Sequence, residues 1–241
     1  MPSTTTRLKR LVPVRIRRAV RDRLDRGTVA LGDLRRTTPI GVGWGFRRGL
    51  PIDRVYIEAF LEECRPDIRG RVLEVGGSKY TRRYGSSVTR ADVLDIDPGN
   101  AHATVVGDLT SLPDLPDASY DCIILTQVLQ YLPDVLTALR TVERLLSSGG
   151  VLLATVPGIT KVSASEDARF GDWWRFTSRS AGHLVGEAFG SEDITVRSFG
   201  NVQTAAAFLY GLAREDLEPR VFTVHDPLFE VVIAVRAVKV A

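Results

Sequence analysis

The chain has 241 residues, of which 44% are hydrophobic and 25% are charged. This composition is typical of a globular protein and excludes the disordered, collagen-like and disulfide-scaffold classes. The net charge is +3, but residues 1–36 hold eleven Lys or Arg and only three Asp, so this segment carries +8 and residues 37–241 carry −5. The basic character of the chain therefore belongs to its N-terminal segment.

Residues 1–36 are predicted to form a basic amphipathic arm. Ile16, Val20 and Leu24 recur every four residues after Pro13, and arginines fill the surface between them, which predicts a helix with one apolar stripe. Such a helix suits an anionic membrane surface or an acidic face of a partner enzyme, and it can equally pack on the main domain. No nucleic-acid-binding module accompanies the arm, so nucleic acid is not an expected partner.

Cellular location is predicted from what the sequence lacks. No stretch reaches the roughly 18 apolar residues of a membrane span, and the N-terminus has no apolar core of a signal peptide. Cys64 and Cys122 lie in apolar surroundings without a pairing or metal-ligand spacing, so they are expected to be reduced and structural. We therefore expect a cytoplasmic protein without a metal site, with peripheral membrane contact through the arm as an addition.

An α/β domain is predicted over residues 51–241. Residues 37–50 hold four glycines among Trp44 and Phe46 and are expected to form a linker or lid, and Asp53 is expected to cap the helix that follows. From there, short apolar runs alternate with helical patterns, which indicates a mostly parallel sheet covered on both faces. The predicted strands are residues 72–75, 93–96, 103–106, 122–125, 151–155, 194–199 and 229–240. The predicted helices that follow the fourth strand begin at 133, 180 and 202 and end near 146, 189 and 214.

Three predicted strands end in residues suited to a nucleoside ligand. The first ends in the sequence EVGGS at 74–78, and a glycine there lets a ligand approach the main chain closely. The second ends in Asp95-Ile96-Asp97, about twenty residues later, where an open α/β sheet places a carboxylate on the ribose hydroxyls. Asp108 follows the third strand at the same edge. Together these positions predict an adenosine-containing cofactor.

With these motifs the chain resembles the class I S-adenosylmethionine-dependent methyltransferases. The resemblance covers residues 51–241 and implies a Rossmann-like, doubly wound sheet of seven strands with an antiparallel last strand. More narrowly, the chain is similar to a bacterial branch associated with polysaccharide or glycoconjugate biosynthesis. The segments that carry the resemblance are VLEVGG at 72–77, GDL at 107–109, YDCIILTQVLQYL at 120–132 and LLSSGGVLLATVPG at 145–158, and those of the branch are 51–61, 172–177 and 200–213.

The resemblance implies S-adenosylmethionine as the cofactor and a role for each matching residue. Glu74 would bind the methionine ammonium group directly or through water, and Asp95, or failing it Asp97, would hold the ribose. Asp108 would accept a hydrogen bond from the adenine amino group, with the Leu109 N–H opposite a ring nitrogen. The other implied cofactor contacts are Gly76, Gly77, Ser78, Ile96, Thr126, Gln127 and Val128.

The sequence says less about the residues that bind the acceptor, the molecule that receives the methyl group. Methyl transfer from a sulfonium needs alignment and no nucleophilic residue, although an alcohol acceptor gains from a base. Tyr131 stands where many relatives have histidine, and it is expected either to orient the acceptor hydroxyl or to pack in the core; His225 is a second catalytic candidate. Trp173 and Trp174 can stack on a sugar ring or plug the sheet edge, and Arg175 can hold a phosphate or carboxylate.

The expected function is O-methylation of a sugar or glycoconjugate. Two alternatives stay open: methylation of another small molecule such as a secondary metabolite, and a noncatalytic partner domain in a glycan-biosynthesis assembly. A nucleotide-binding oxidoreductase is disfavoured because the chain has neither a G-x-G-x-x-G sequence nor a Tyr-x-x-x-Lys pair.

Overall fold

The computed structural model describes residues 32–112, 115–190 and 193–240. These residues fall into two units, 32–38 and 39–240. The first unit contains one short 3-10 helix, Gly32–Arg35. The predicted amphipathic helix of the basic arm lies outside the described residues.

The larger unit is built on one seven-stranded sheet in the order β3-β2-β1-β4-β5-β7-β6. Neighbouring strands from β3 to β5 run parallel, and β7 runs antiparallel to both β5 and β6. This arrangement confirms the predicted doubly wound, mostly parallel sheet with an antiparallel last strand. The strands are β1 Gly70–Val75, β2 Val88–Asp95, β3 Val105–Val106, β4 Tyr120–Thr126, β5 Leu146–Pro157, β6 Ile194–Phe199 and β7 Val232–Val238.

Helices cover both faces of the sheet and enclose two hydrophobic layers. On one face, the helix over 135–145 buries Leu139 and Val142 at helical spacing against the sheet. On the other face, Ile57 and Phe208, from the helices over 52–63 and 202–209, belong to the second layer. The α-helices of the described residues are α1 Ile52–Glu63, α2 Lys79–Tyr84, α3 Val135–Leu145, α4 Ala164–Phe170, α5 Ser178–Phe189 and α6 Val202–Leu209.

The start of α1 corrects the predicted role of Asp53. Pro51, with φ −54° and ψ 146°, takes the N-cap position, so Asp53 lies inside the first turn. Its Oδ1 accepts a hydrogen bond from Arg54 N at 2.8 Å, within the same turn. Proline is suited to a helix start because its fixed φ and missing N–H cost nothing there. The carboxylate of Asp53 is therefore available for another role.

The glycine-rich segment 39–50 is fixed against the turn that follows α6. Gly211 takes a left-handed φ of 70°, which ends α6 before the predicted residue 214. A Cβ at Gly41 would lie 2.1 Å from the Gly211 carbonyl oxygen, so only glycine permits this approach. Arg48 donates two hydrogen bonds to Asp216, at 2.8 and 2.5 Å. The segment is therefore held in place at both backbone and side-chain level.

The two cysteines are buried free thiols. Burial raises the pKa of Cys64 to about 11 and raises the pKa of Cys122 further, so both are protonated and unreactive at neutral pH. Across the described part of the chain, no helix has the length and apolar character needed to cross a membrane.

Candidate active site

A large cleft of about 730 Å³ lies at the carboxyl ends of β1, β2, β3 and β4. Open α/β sheets bind ligands at this edge, where the strand order reverses. We call this site the large cleft. The predicted cofactor residues that line it are Gly76, Asp95, Ile96, Asp97, Asp108, Leu109, Thr126, Gln127 and Val128.

The glycine turn leaves open space above the end of β1. Gly76 takes a φ of 79°, and a Cβ added there or at Gly77 would meet nothing within 4 Å. Gly76 N donates to Leu94 O at 2.8 Å, which fixes the turn to β2. Gly77 and Ser78 continue the turn, and Ser78 is the N-cap residue of α2, but neither lines the large cleft. A ligand can thus approach the main chain at Gly76.

Glu74 faces α2 and not the large cleft. Its buried carboxylate accepts hydrogen bonds from Tyr80 N, Thr81 N and Thr81 Oγ1, at 3.1, 2.8 and 2.7 Å. Burial raises the pKa of Glu74, and the hydrogen bonds from Thr81 and Tyr80 oppose this shift. Glu74 therefore ties α2 to β1 and holds the glycine turn between them in place. Its contact with an ammonium group stays a prediction.

The two carboxylates at the end of β2 point to different partners. Asp95 Oδ1 accepts from Asp97 N at 2.9 Å and its Oδ2 from Asn100 Nδ2 at 2.6 Å, so its orientation is fixed by the following loop. Asp97 Oδ2 pairs with Arg169 Nη2 at 3.0 Å. Because Arg169 belongs to α4, this pair joins α4 to the opposite wall of the large cleft.

Asp108 offers a free acceptor to the large cleft. Its Oδ1 accepts two hydrogen bonds from Thr110, from N and Oγ1, both at 2.8 Å. No donor among the described residues reaches Oδ2. Ile96, 48% exposed, supplies an apolar wall of the same cleft. These features suit a flat heteroaromatic ring with a polar edge.

Gln127 is held in a strained backbone conformation where β4 ends. Its φ is 57°, a left-handed value that non-glycine residues rarely adopt and that concentrates at functional sites. Gln127 N donates to Thr155 O at 2.9 Å, and its buried Nε2 has no partner among the described residues. The strained turn aims an unsatisfied amide at the ligand-binding region.

A small cavity of about 70 Å³ adjoins the large cleft. The two share Gln127 and Tyr131, so a molecule in one lies beside a molecule in the other. Trp44 and Phe46 of segment 39–50, together with Phe208, supply aromatic walls. Besides the two shared residues, the polar residues that line the small cavity are Asp53, Arg54, Gln130, Thr160, Lys161, Ser163, Asp172 and Arg175.

Asp53 and α4 are the site features that sequence reasoning missed. Burial raises the pKa of Asp53, and Arg54, whose Nε lies 3.8 Å from Asp53 Oδ2, opposes the shift. A perturbed carboxylate in a cavity is a mark of a functional site. The only sequence signal was an Asp-Arg pair directly after the glycine-rich segment. α4 lines the large cleft through Glu166, Arg169 and Phe170, and nothing in its sequence indicated that position.

Tyr131 lines both the large cleft and the small cavity. Burial raises the pKa of Tyr131, so its hydroxyl is protonated at neutral pH. A protonated phenol can donate or accept a hydrogen bond but cannot take a proton. The raised pKa disfavours general-base catalysis by Tyr131, and its orientation of a substrate hydroxyl stays a prediction.

Arg175 lines the small cavity, but its guanidinium group already donates hydrogen bonds to other residues of the protein. Its Nη1 and Nη2 donate to the two oxygens of Asp172 at 2.6 and 2.9 Å, and Nη2 donates to Lys161 O at 2.7 Å. Asp172 Oδ2 also accepts from Ser163 N at 2.9 Å. Arg175 thus braces the loop that carries Lys161 and Ser163, and its contact with an acceptor phosphate or carboxylate stays a prediction.

The remaining predicted acceptor residues line neither the large cleft nor the small cavity. Trp173 and Trp174 are 58% and 44% exposed, and their indole nitrogens donate to the carbonyls of Phe170 and Leu132. Leu132 lies on the rim of the large cleft, so Trp174 stands just outside it. His225 is exposed in the loop before β7.

Comparison with known proteins agrees with this geometry. A family model described as a methyltransferase domain matches residues 71–154. No curated protein matches the chain. The match assigns a methyltransferase domain to residues 71–154, and a domain of this kind indicates S-adenosylmethionine as the cofactor.

Solved structures share the fold at low sequence identity. An S-adenosylmethionine-dependent methyltransferase from Mesorhizobium loti has 18% identity and a TM-score of 0.52, over 78% of this chain and 99% of that one. One from Archaeoglobus fulgidus has 14% identity and a TM-score of 0.51, over 77% and 94%. A Thermotoga maritima protein described as a possible histamine N-methyltransferase has 17% identity and a TM-score of 0.52, over 78% and 91%.

Proposed function

We propose that this methyltransferase domain transfers a methyl group to a hydroxyl of a sugar or glycoconjugate. The observation that carries the proposal is the small cavity beside the large cleft. Its walls hold buried polar atoms without partners among the described residues: Gln127 Nε2, Gln130 Oε1 and Thr160 Oγ1. Unpaired buried polar atoms are costly, and a hydroxylated ligand satisfies them as donors and acceptors alike.

The large cleft fits S-adenosylmethionine as the cofactor. Gly76 leaves room for main-chain contact, the Asp95 carboxylate stands at the strand end that receives a ribose, and Asp108 Oδ2 is available to an adenine amino group. We assign the ribose to Asp95 because Asp97 is paired with Arg169. S-adenosylmethionine supplies an electrophilic methyl group on a sulfonium. The chain's own residues then hold the acceptor in line and exclude water.

On the acceptor side, we assign proton transfer to Asp53 and orientation to Tyr131. The acceptor O–H must lose its proton as the oxygen gains the methyl group, and a buried carboxylate with a raised pKa is a competent proton acceptor. Tyr131 keeps its own proton and can hydrogen-bond the acceptor oxygen. In this proposal Trp174 contacts bulky acceptors at the rim, Arg175 braces the loop, and His225 and Trp173 have no direct role.

A screen for methylated products tests the acceptor class. Candidate glycans, lipids, phenols and amines are incubated with the protein and S-adenosylmethionine, and each is weighed by mass spectrometry for the gain of one CH₂ per transferred methyl. Methylation of a sugar hydroxyl supports the proposal. Methylation confined to a phenol or amine favours another small-molecule acceptor, and cofactor binding without any product favours a noncatalytic partner domain. A cytoplasmic location stays a prediction of the sequence.

A further inference from the structure

The charges around the small cavity do not cancel. Among the described residues, five charged side chains line it: Asp53, Arg54, Lys161, Asp172 and Arg175. Two are acidic and three are basic. Because a charge held away from water is costly unless it is paired, the way these five groups pair determines what the cavity can bind.

Asp172 and Arg175 form a closed, neutral pair. The Asp172 side chain is 2% exposed, and both its oxygens accept from Arg175, at 2.6 and 2.9 Å. Arg175 also donates to the backbone carbonyls of Lys161 and Trp174, each at 2.7 Å. The hydrogen bonds of the two side chains are thus made to each other and to the backbone, and the pair adds no net charge to the small cavity.

Asp53 and Arg54 form a neutral but looser pair. Arg54 Nε lies 3.8 Å from Asp53 Oδ2, beyond hydrogen-bond distance. Arg54 Nη1 donates to the Tyr80 hydroxyl at 3.3 Å. No carboxylate among the described residues receives a direct hydrogen bond from the Arg54 guanidinium, so Arg54 retains N–H groups for a ligand in the small cavity.

Lys161 is the unbalanced charge. No carboxylate of a described residue lies within 4 Å of its Nζ. The ammonium instead lies 4.3 Å from the centroid of the Trp44 ring, a cation–π contact that fixes its position without neutralising it. The small cavity therefore keeps one net positive charge beside the spare donors of Arg54, next to the unpartnered amide of Gln127.

From this balance we infer that the acceptor is acidic: a hydroxylated molecule whose carboxylate or phosphate group lies between Lys161 and Arg54. The inference rests on the proposed function and adds the charge of the acceptor to it. An anion completes the pairing of Lys161, and the neighbouring unpartnered amide and hydroxyl groups bind the sugar hydroxyls. Neutral sugars leave the lysine unpaired and bind more weakly.

Calorimetry with three simple sugars tests the inference. The protein is saturated with S-adenosylhomocysteine and titrated at low ionic strength with sodium glucuronate, glucose 6-phosphate and glucose. We expect at least one acidic sugar to bind about tenfold or more tightly than glucose, and the two acidic arms separate carboxylate from phosphate recognition. Equal affinity for all three, or no binding of either acidic sugar, overturns the inference.

Lysine variants locate the binding. Lys161→Gln is expected to lose about tenfold in affinity for the preferred acidic sugar, and Lys161→Arg to stay within about threefold of the wild type. Lys239→Gln is the matched control. The Lys239 ammonium pairs with Glu143, and its backbone N–H donates to Gly150 O, at the end of the sheet opposite to the two cavities. An unchanged affinity in Lys161→Gln contradicts the inference. Failure of S-adenosylhomocysteine to bind contradicts the proposed function instead, and the sugar titrations on the free protein then still report the charge preference.

Discussion

At the scale of single residues, Asp53 carries a cost to stability that its position in the small cavity explains. Burial raises its pKa above the ordinary 3.8, so the ionised carboxylate is less stable in the folded protein than in the unfolded chain. A raised pKa stabilises the fold fully below the unfolded value, and that stabilisation is lost as pH rises through the folded value. Asp53→Asn stays neutral, so it should melt higher than the wild type at neutral pH and gain nothing in acid below about pH 4.

Asp134→Asn should change the melting temperature at neutral pH in the opposite direction, so it serves as the comparison. Hydrogen bonds from the Thr137 side chain and backbone lower the pKa of Asp134, the N-cap of α3. A lowered pKa stabilises the fold above the unfolded value, so this variant should melt lower at neutral pH and equal the wild type in strong acid. Thermal melts of both variants across pH provide the check. If Asp53→Asn instead lowers the melting temperature at neutral pH, relative to the wild type, the ionised Asp53 carboxylate does not destabilise the fold and the prediction is wrong.

At the scale of elements, the packing of segment 39–50 on the turn after α6 shapes the small cavity. Gly41→Ala places a Cβ 2.1 Å from the Gly211 carbonyl oxygen, and backbone cannot move aside cheaply. We expect a loss of about 1–3 kcal/mol in the free energy of unfolding, as for overpacked positions. Gly186→Ala, inside α5 with nothing within 4 Å, should instead gain about 0.4–1 kcal/mol. Denaturant unfolding of both variants tests this prediction. Similar free energies of unfolding for the two would show that segment 39–50 is not packed as described.

Elements with a regular apolar pattern could be predicted from the sequence. β4 and β5 are buried on both faces and appear as continuous apolar runs, and α3 shows helical spacing of its buried residues. α4 could not be found this way, because none of its residues is buried and its sequence has no apolar period. The sequence therefore predicts no helix between β5 and α5.

At the scale of the whole molecule, the large cleft was predictable and the small cavity was not. The large cleft is formed by strand ends, and parallel strands bring those ends to one edge by topology alone. The small cavity joins Trp44, Asp53, Gln127 and Lys161, which are distant in sequence and meet only through tertiary packing. No local sequence pattern indicates this arrangement, so the sequence alone predicts only a helix cap at Asp53.

The basic arm supplies a prediction for the whole chain. Deleting residues 1–36 removes a charge of +8 and should lower binding to anionic vesicles, since such surfaces attract basic amphipathic segments. Affinity for S-adenosylmethionine should not change, because the residues of the large cleft lie outside the arm. Vesicle co-sedimentation and calorimetry on both proteins provide the measurement. Equal vesicle binding would contradict a membrane role for the arm.

We propose that the large cleft holds S-adenosylmethionine with its ribose on Asp95. The test is calorimetric titration of the wild type, Asp95→Ala and Asp97→Ala, with NADH as the competing nucleotide. We expect binding of S-adenosylmethionine and not NADH, a loss of about 1–3 kcal/mol in Asp95→Ala, and a smaller loss in Asp97→Ala. Tight NADH binding, or unchanged S-adenosylmethionine affinity in Asp95→Ala with the fold intact, would contradict it.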